Sequence, residues 1–370
     1  MSPRRLTACA LAALMVGATA LSAHAAPGVD DAVSPASDTT RTVATPMLPH
    51  LHATPGVAIT SVRKVAGLER TWEVTYRTDS VAPSQTFDSV MSLRITVPRS
   101  LTSASASRRY PVLYLLHGGG EGRVRDWTDE SGRQGRAEQL TADLDLITVS
   151  LAGGKVSWYS DWVDQSAGAA NWLSHHLDEV IPFIDANLPT LAQGRHRAIA
   201  GLSMGGYGAY HYAMERPGTF ASVSSFSGGL DLGNVAIRGT VAQQLAANGF
   251  PRGAVWGTML RGNPLLERAN PTGSWGISRL AAQSRSGTRL AIYSGTGLGT
   301  ADPGALVIEA AVGTTAAAMH LALLTHRVPH TYVRYTTRSF GGFRCDGGHD
   351  WGCWNADLAQ DLPFIMRAIR

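Results

Sequence analysis

The sequence predicts an α/β fold in which a mainly parallel central sheet is covered by helices on both faces. Three observations carry that prediction. Strand-like and helix-like segments alternate from about Ala58 to the end of the chain, as βαβ units require. The segments 110–116 and 144–151 are largely apolar runs of the kind found in strands buried on both sides. The 370 residues are 44% hydrophobic and 16% charged, enough apolar material for a large core and a composition that excludes disorder.

In chain order, 58–62 and 71–76 read as opening strands, and 89–97 as a third with Met91, Leu93 and Ile95 alternating. The two buried strands follow. Over 171–188, Trp172, Leu173, Leu177, Val180, Ile181, Ile184 and Leu188 recur at helical spacing. A short strand at 197–202 runs directly into a helix at 204–215, which stops near Pro217. Strands at 220–226, 289–294 and 331–335, a long helix at 303–324 and a closing helix at 355–369 complete the set. Residues 230–288 turn rich in Gly, Asn and Arg. They are expected as an insertion over the carboxyl edge of the sheet, where substrate would sit.

Residues 1–25 have the layout of a signal peptide: Arg4 and Arg5, an apolar stretch at 11–21, and Ala23-His24-Ala25 as the cleavage site. The apolar stretch is too short for a membrane anchor. The expectation is therefore a protein secreted after cleavage near Ala25, with no transmembrane segment left. Residues 26–55, rich in Ala, Ser, Thr and Pro, read as a flexible leader. The hydrolase-like domain is then expected over 56–370. The formal charge is only +4, with no basic cluster interleaved with aromatics, so nucleic acid is not an expected partner. Cleavage would remove Cys9 and leave Cys345 and Cys353, an even pair that reads as a disulfide in an exported chain. The rival reading of Cys345, His349 and Cys353 as metal ligands is disfavoured by that same export, so neither metal nor cofactor is expected.

Gly201-Leu202-Ser203-Met204-Gly205 fits G-x-S-x-G between a predicted strand and a predicted helix. That context marks a nucleophile elbow. A serine there projects from a sharp turn at the positive end of a helix dipole, and small neighbours admit the crowded backbone. The strand at 110–116 ends in His117-Gly118-Gly119-Gly120, a turn able to bring a backbone N–H to a substrate carbonyl; the second donor is expected from Met204 N–H. His117 is expected to fix the loop. Among the histidines only His349 follows the last strand in a Gly-rich loop, so it is the expected base. Two carboxylates follow the strand at 289–294. Asp302 precedes Pro303 as a helix N-cap would. Glu309 is the one charged residue between Pro303 and Leu324, and a lone carboxylate in an apolar helix needs a partner. Glu309 is the expected acid and Asp302 the alternative.

On Leu115-Leu116-His117-Gly118, Ser157-Trp158-Tyr159-Ser160-Asp161-Trp162, Gly201–Gly206 and Gly348-His349-Asp350-Trp351-Gly352-Cys353-Trp354, the sequence resembles the "Putative esterase" family of α/β hydrolases. It is most similar to the branch of antigen-85-like mycolyltransferases and S-formylglutathione hydrolase-like esterases. The resemblance implies the α/β-hydrolase fold and oxyanion donors at Gly119 and Met204. It also implies an acid at Glu309, since that branch carries a glutamate on the helix after its seventh strand. The chain departs from the mycolyltransferases at His117 and Gly120, where they hold trehalose with an acidic residue and an arginine, and at Asp350, where they carry serine.

The expected function is ester hydrolysis through an acyl-enzyme on a small-molecule or lipid ester. Trp158, Trp162 and Trp351 are expected to line the substrate path. Two alternatives remain: acyl transfer to a sugar or lipid hydroxyl, and a non-catalytic binding protein on the same scaffold.

Overall fold

In the computed structural model, residues 45–103, 107–120 and 122–370 are described. The predicted signal peptide and the first part of the predicted leader lie outside them. Residues 45–55, assigned to that leader, are held against the domain. Leu51 is buried, and Asn187 clasps the His52 backbone from both sides, accepting its N–H at 2.6 Å and donating to its carbonyl at 3.0 Å. A buried leucine and a two-way amide clasp fix this stretch where composition suggested flexibility.

The buried strand Val112–Leu116 shows how the sequence builds the fold. Its side chains alternate between two cores. Val112, Tyr114 and Leu116 face one, and Leu113 and Leu115 face the other, beneath the C-terminal helix. Burying one such leucine is worth about 1.5–3 kcal/mol.

The strands are β1 (Ala58–Lys64), β2 (Thr71–Arg77), β3 (Met91–Thr96), β4 (Val112–Leu116), β5 (Ile147–Leu151), β6 (Arg197–Leu202), β7 (Ser222–Phe226), β8 (Arg289–Gly295) and β9 (Thr331–Tyr335). They form one sheet in the order β1-β2-β3-β5-β4-β6-β7-β8-β9. β1, β2, β3 and β5 pair antiparallel in succession, and every pair from β5 through β4 to β9 is parallel. The carboxyl ends of β4, β6, β7 and β8 therefore lie side by side along one edge. This is the α/β-hydrolase fold.

The helices are α1 (Ala137–Leu140), α2 (Trp172–Ser174), α3 (Ile181–Asn187), α4 (Met204–Glu215), α5 (Val235–Ala247), α6 (Pro264–Ala269), α7 (Ser274–Arg285), α8 (Pro303–Thr325) and α9 (Trp351–Ile369). A wide π turn, His175–Val180, joins α2 to α3. Pro182 follows it without an N–H to continue the ordinary ladder. β6, α4 and β9 have the expected bounds.

The Gly-, Asn- and Arg-rich insertion at 230–288 contains three helices. Two of its asparagines are helix starts: Asn234 accepts from Ala236 and Ile237 N–H, and Asn263 from Leu265 N–H. A further hairpin, β10 (Arg338–Phe340) and β11 (Phe343–Cys345), was not foreseen. Gly341 and Gly342, both at positive φ, make its turn. Among the described residues α8 alone is long and apolar enough to cross a membrane, judged by length and composition. Here it packs on β8 and buries Glu309, Val312, Ala316, Met319 and Leu323.

Candidate active site

Ser203 sits between β6 and α4 with φ 52° and ψ −119°, a backbone region that a non-glycine residue occupies only when its surroundings force it. The forcing groups are visible. Ser203 N–H donates to Phe226 O at 2.9 Å. The flanking glycines let strand and helix close up: a Cβ on Gly201 would overlap the Gly205 carbonyl, and one on Gly205 would overlap that of Leu116. The Ser203 side chain makes no cap bond to α4, which leaves Oγ free to project.

The oxyanion loop lies beside it. A Cβ placed on Gly118 would come 3.5 Å from Ser203 Cβ, and one on Gly119 would come 3.3 Å from Met204 Sδ. Among the described residues neither Gly119 N–H nor Met204 N–H has an acceptor, so both remain available. His117 holds the loop from within. Its Nε2 accepts from Gly153 N–H at 2.6 Å, which leaves Nδ1 to donate to Gly118 O at 2.7 Å. Burial pushes its pKa down to about 4, so it stays neutral. Tyr159 OH and Trp127 Nε1 donate to the carbonyls of His117 and Leu116.

Glu309 is fully buried. Its Oε1 accepts from Gly295 N–H at 2.6 Å, Ser227 Oγ at 2.9 Å and Ser294 Oγ at 3.1 Å, and its Oε2 lies 2.7 Å from His349 Nδ1. Asp302 is exposed and caps α8, accepting from Gly304 and Ala305 N–H. The structure thus brings Glu309, and not Asp302, to His349.

The His349 loop reaches this point because glycines let it cross the end of β8. Gly297 N–H donates to Gly347 O at 2.9 Å, and a Cβ on Gly295 would collide with that same oxygen. The Cys345–Cys353 disulfide closes the loop from both sides. With both sulfurs bonded to each other, neither is free to ligate a metal. Trp354 stands edge-on to the imidazole at 5.0 Å. Asp350 caps α9 through Cys353 N–H; burial, then the neighbouring Asp346 carboxylate, pushes its pKa up to about 6. Among the described residues no hydrogen bond joins Ser203 Oγ to His349.

Of the tryptophans, Trp351 is half-buried and packs edge-on against Trp127 and Trp354. Trp158 is buried behind the oxyanion loop, its backbone N–H donating to Met204 Sδ. Trp162 is displaced from the expected path: it is a core residue, its Nε1 donating to Ser157 O and its ring against Phe250. Both rings lie in the same apolar cluster, and the positive φ of Trp158 and Tyr159 turns the loop between them.

Ser227 and Ser294, which position Glu309, were missed by the sequence analysis. Ser227 lies at φ 51° at the end of β7, and only the small Ser-Gly-Gly run there hinted at a crowded turn.

A family model described as "Putative esterase" matches residues 84–365. The chain belongs to that family. It is similar to Esterase Rv1288 of Mycobacterium tuberculosis, 44% identical over 124 residues, a match that takes 34% of this chain and only 26% of that protein. The chain thus spans about a quarter of this relative's length. It is also similar to the MPT51/MPB51 antigen of Mycobacterium tuberculosis, 30% identical over 267 residues, 70% of this chain and 80% of the relative. The crystal structure of Mycobacterium tuberculosis MPT51 superposes with a TM-score of 0.56 at 24% identity, over 80% of this chain and 99% of that one, a likeness of fold. The diacylglycerol acyltransferase/mycolyltransferase Ag85B of Mycolicibacterium smegmatis is 27% identical over 256 residues, 63% of this chain and 70% of that one. The family and these relatives together support chemistry on esters, by hydrolysis or by acyl transfer.

Proposed function

We propose that this chain is a serine esterase that cleaves carboxylic esters through an acyl-enzyme on Ser203. His349 Nε2 takes the Ser203 proton as Oγ attacks the ester carbonyl, and returns it to the leaving alcohol. Glu309 holds the Nδ1–H tautomer and stabilises the imidazolium that forms. Gly119 and Met204 N–H receive the oxyanion. Water then releases the acid. In this reading the Ser203–His349 hydrogen bond forms as substrate closes over the site.

One observation supports this reading above the others. A fully buried carboxylate sits 2.7 Å from an imidazole, with three donors on its other oxygen and, among the described residues, no lysine or arginine bonded to it. A structural ion pair needs no such set of donors behind the carboxylate. The disulfide and the signal-like first 25 residues support action outside the cytoplasm.

Acyl transfer to a sugar or lipid hydroxyl is the second reading, favoured by the likeness to Ag85B. It shares every step up to the acyl-enzyme. A panel of short and long esters, assayed in water and with added alcohols, tests both. Wild type should turn over esters and label with a fluorophosphonate, and Ser203→Ala should do neither. Free acid as the main product in the presence of alcohol supports hydrolysis, and new ester supports transfer. Labelling that survives Ser203→Ala would overturn the assignment of the nucleophile.

A further inference from the structure

Helix α8 carries no charge on the side that faces away from the protein. Val307, Ala311, Thr314, Ala318, Leu321 and Thr325 recur at alternate steps of four and three residues, which sets them in one stripe along the helix. Each is exposed or half-buried, while Val312, Ala316, Met319 and Leu323 on the other side are buried against the protein. Leu298 and Val307 are 76% and 64% exposed, and Ile308, Leu321 and Leu324 are exposed as well. From Pro303 to Thr325 the one charged residue is Glu309, which is buried. A surface helix ordinarily presents charge to water, and a helix that is apolar all round is found in a core or against lipid. Single exposed leucines are normal on any protein, but a continuous apolar face marks a contact surface.

The face begins at the candidate active site. Gly297 N–H donates to Gly347 O, two residues before His349, and a Cβ on Gly297 would stand 2.8 Å from Leu306 O. Leu298 therefore lies in the loop that ties the first turn of α8 to the His349 loop. The charges around the face have one sign. β8, α5 and α7, which pack against α8, contain Arg238, Arg279, Arg285 and Arg289 and no Asp or Glu. From Pro303 to Cys345 Glu309 is again the only acid. Arg327 lies just past the helix, and the Arg334 guanidinium reaches α8 at Gly313; among the described residues neither is in an ion pair. Asp302, at the other end, is occupied by the helix cap. A second copy of this chain on the same face would set these arginines against their own counterparts. The complement is an apolar layer edged with negative charge, which is the make-up of an anionic lipid bilayer.

We propose that the outer face of α8 docks on a lipid surface bearing anionic headgroups. Leu298, Val307, Ile308, Leu321 and Leu324 enter the boundary between headgroups and acyl chains, and Arg327 and Arg334 meet lipid phosphates. With its inner face fixed to β8, α8 lies along the surface and does not cross it. Docking sets the His349 loop at the membrane. That esters held in the lipid are then cleaved rests on the esterase reading of Ser203; the docking itself does not.

The test is co-sedimentation of the full chain with vesicles of equal parts phosphatidylglycerol and phosphatidylcholine. Wild type and Ser203→Ala should both bind at low salt, bind phosphatidylcholine alone several-fold more weakly, and be released at high salt. The double variant Val307→Ser, Leu321→Ser should weaken binding at least tenfold, and Arg327→Gln about fivefold. These side chains face solvent, so both variants should melt with wild type and label with a fluorophosphonate as wild type does. Hydroxyl-radical footprinting read by mass spectrometry locates the contact: vesicles should protect Val307, Ile308, Leu321 and Leu324 and leave Val62, exposed on β1, as reactive as before. Wild type that stays in the supernatant, or sediments without protection of α8, would overturn the proposal. So would binding that is unchanged in the double variant. A dimer that the same variant abolishes, with no vesicle binding, would assign the face to a second copy and overturn it too. Each of these outcomes leaves the esterase reading standing, since fluorophosphonate labelling of Ser203 is read separately.

Discussion

Replacing Glu309 by glutamine removes one negative charge and almost nothing of the side chain's volume. In the native site Oε1 receives three donors and Oε2 receives His349 Nδ1–H. Glutamine can keep its oxygen toward Gly295, Ser227 and Ser294 only by turning its NH2 toward the imidazole. Two N–H groups cannot face each other at 2.7 Å, so the ring must move its proton to Nε2. That nitrogen then has no lone pair to take the Ser203 proton. A wrong tautomer of this kind costs about 10³–10⁴ in kcat, or roughly 4–5.5 kcal/mol of barrier at 1.36 kcal/mol per decade. Folding loses one charge-assisted bond, about 1.5–3 kcal/mol. Glu309→Ala would strand four donors at once and is the wrong variant for this purpose. The assay is steady-state hydrolysis of a p-nitrophenyl ester beside a thermal melt. Asp302→Asn is the control, since asparagine caps a helix as well as aspartate; it should leave the rate unchanged. A Glu309→Gln enzyme within tenfold of wild type, or an Asp302→Asn enzyme that falls as far, would refute the reasoning.

Three further outcomes follow from the same geometry. The double variant Cys345→Ser, Cys353→Ser opens a loop with a sequence separation of 8, so loop entropy predicts a loss of about 2.5 kcal/mol; activity should fall already well below the melting temperature because His349 sits inside that loop. Asp350 ionises near pH 6 in the folded chain against a reference of 3.8, so the stability from its protonated form is complete below pH 3.8 and lost as pH rises through about 6. Asp350→Asn keeps the cap and should flatten that fall, gaining about 1 kcal/mol at pH 7 once solvent screening is allowed for; a denaturant series across this pH range checks it, and parallel curves for both proteins would contradict it. Gly205→Ala forces a methyl group into the Leu116 carbonyl and should yield insoluble or inactive protein, whereas a soluble, fully active variant would show that the elbow can relax.

The positions of Ser203, Glu309 and His349 were legible in the sequence because each breaks a local rule. Ser203 lies in a Gly-flanked step from strand to helix, Glu309 is a lone charge in an apolar helix, and His349 stands between glycines and two cysteines. The insertion was legible only as a break in pattern. Its asparagines look like loop formers in one dimension and prove to be helix caps at Asn234 and Asn263. The 338–345 hairpin was hidden for a related reason: strands of three residues are too short to show a period.

The sequence by itself determined the alternation of strands and helices, the two-faced core and the residue types able to do ester chemistry, because periodicity and side-chain chemistry are local properties. Only the tertiary structure decided which carboxylate meets His349, that Ser227 and Ser294 hold it, and that Trp162 turns into the core. Those three outcomes depend on strand order and loop direction. Strand order and loop direction arise from long-range packing, where residues distant in the chain compete for the same space, and no short window of sequence contains both partners.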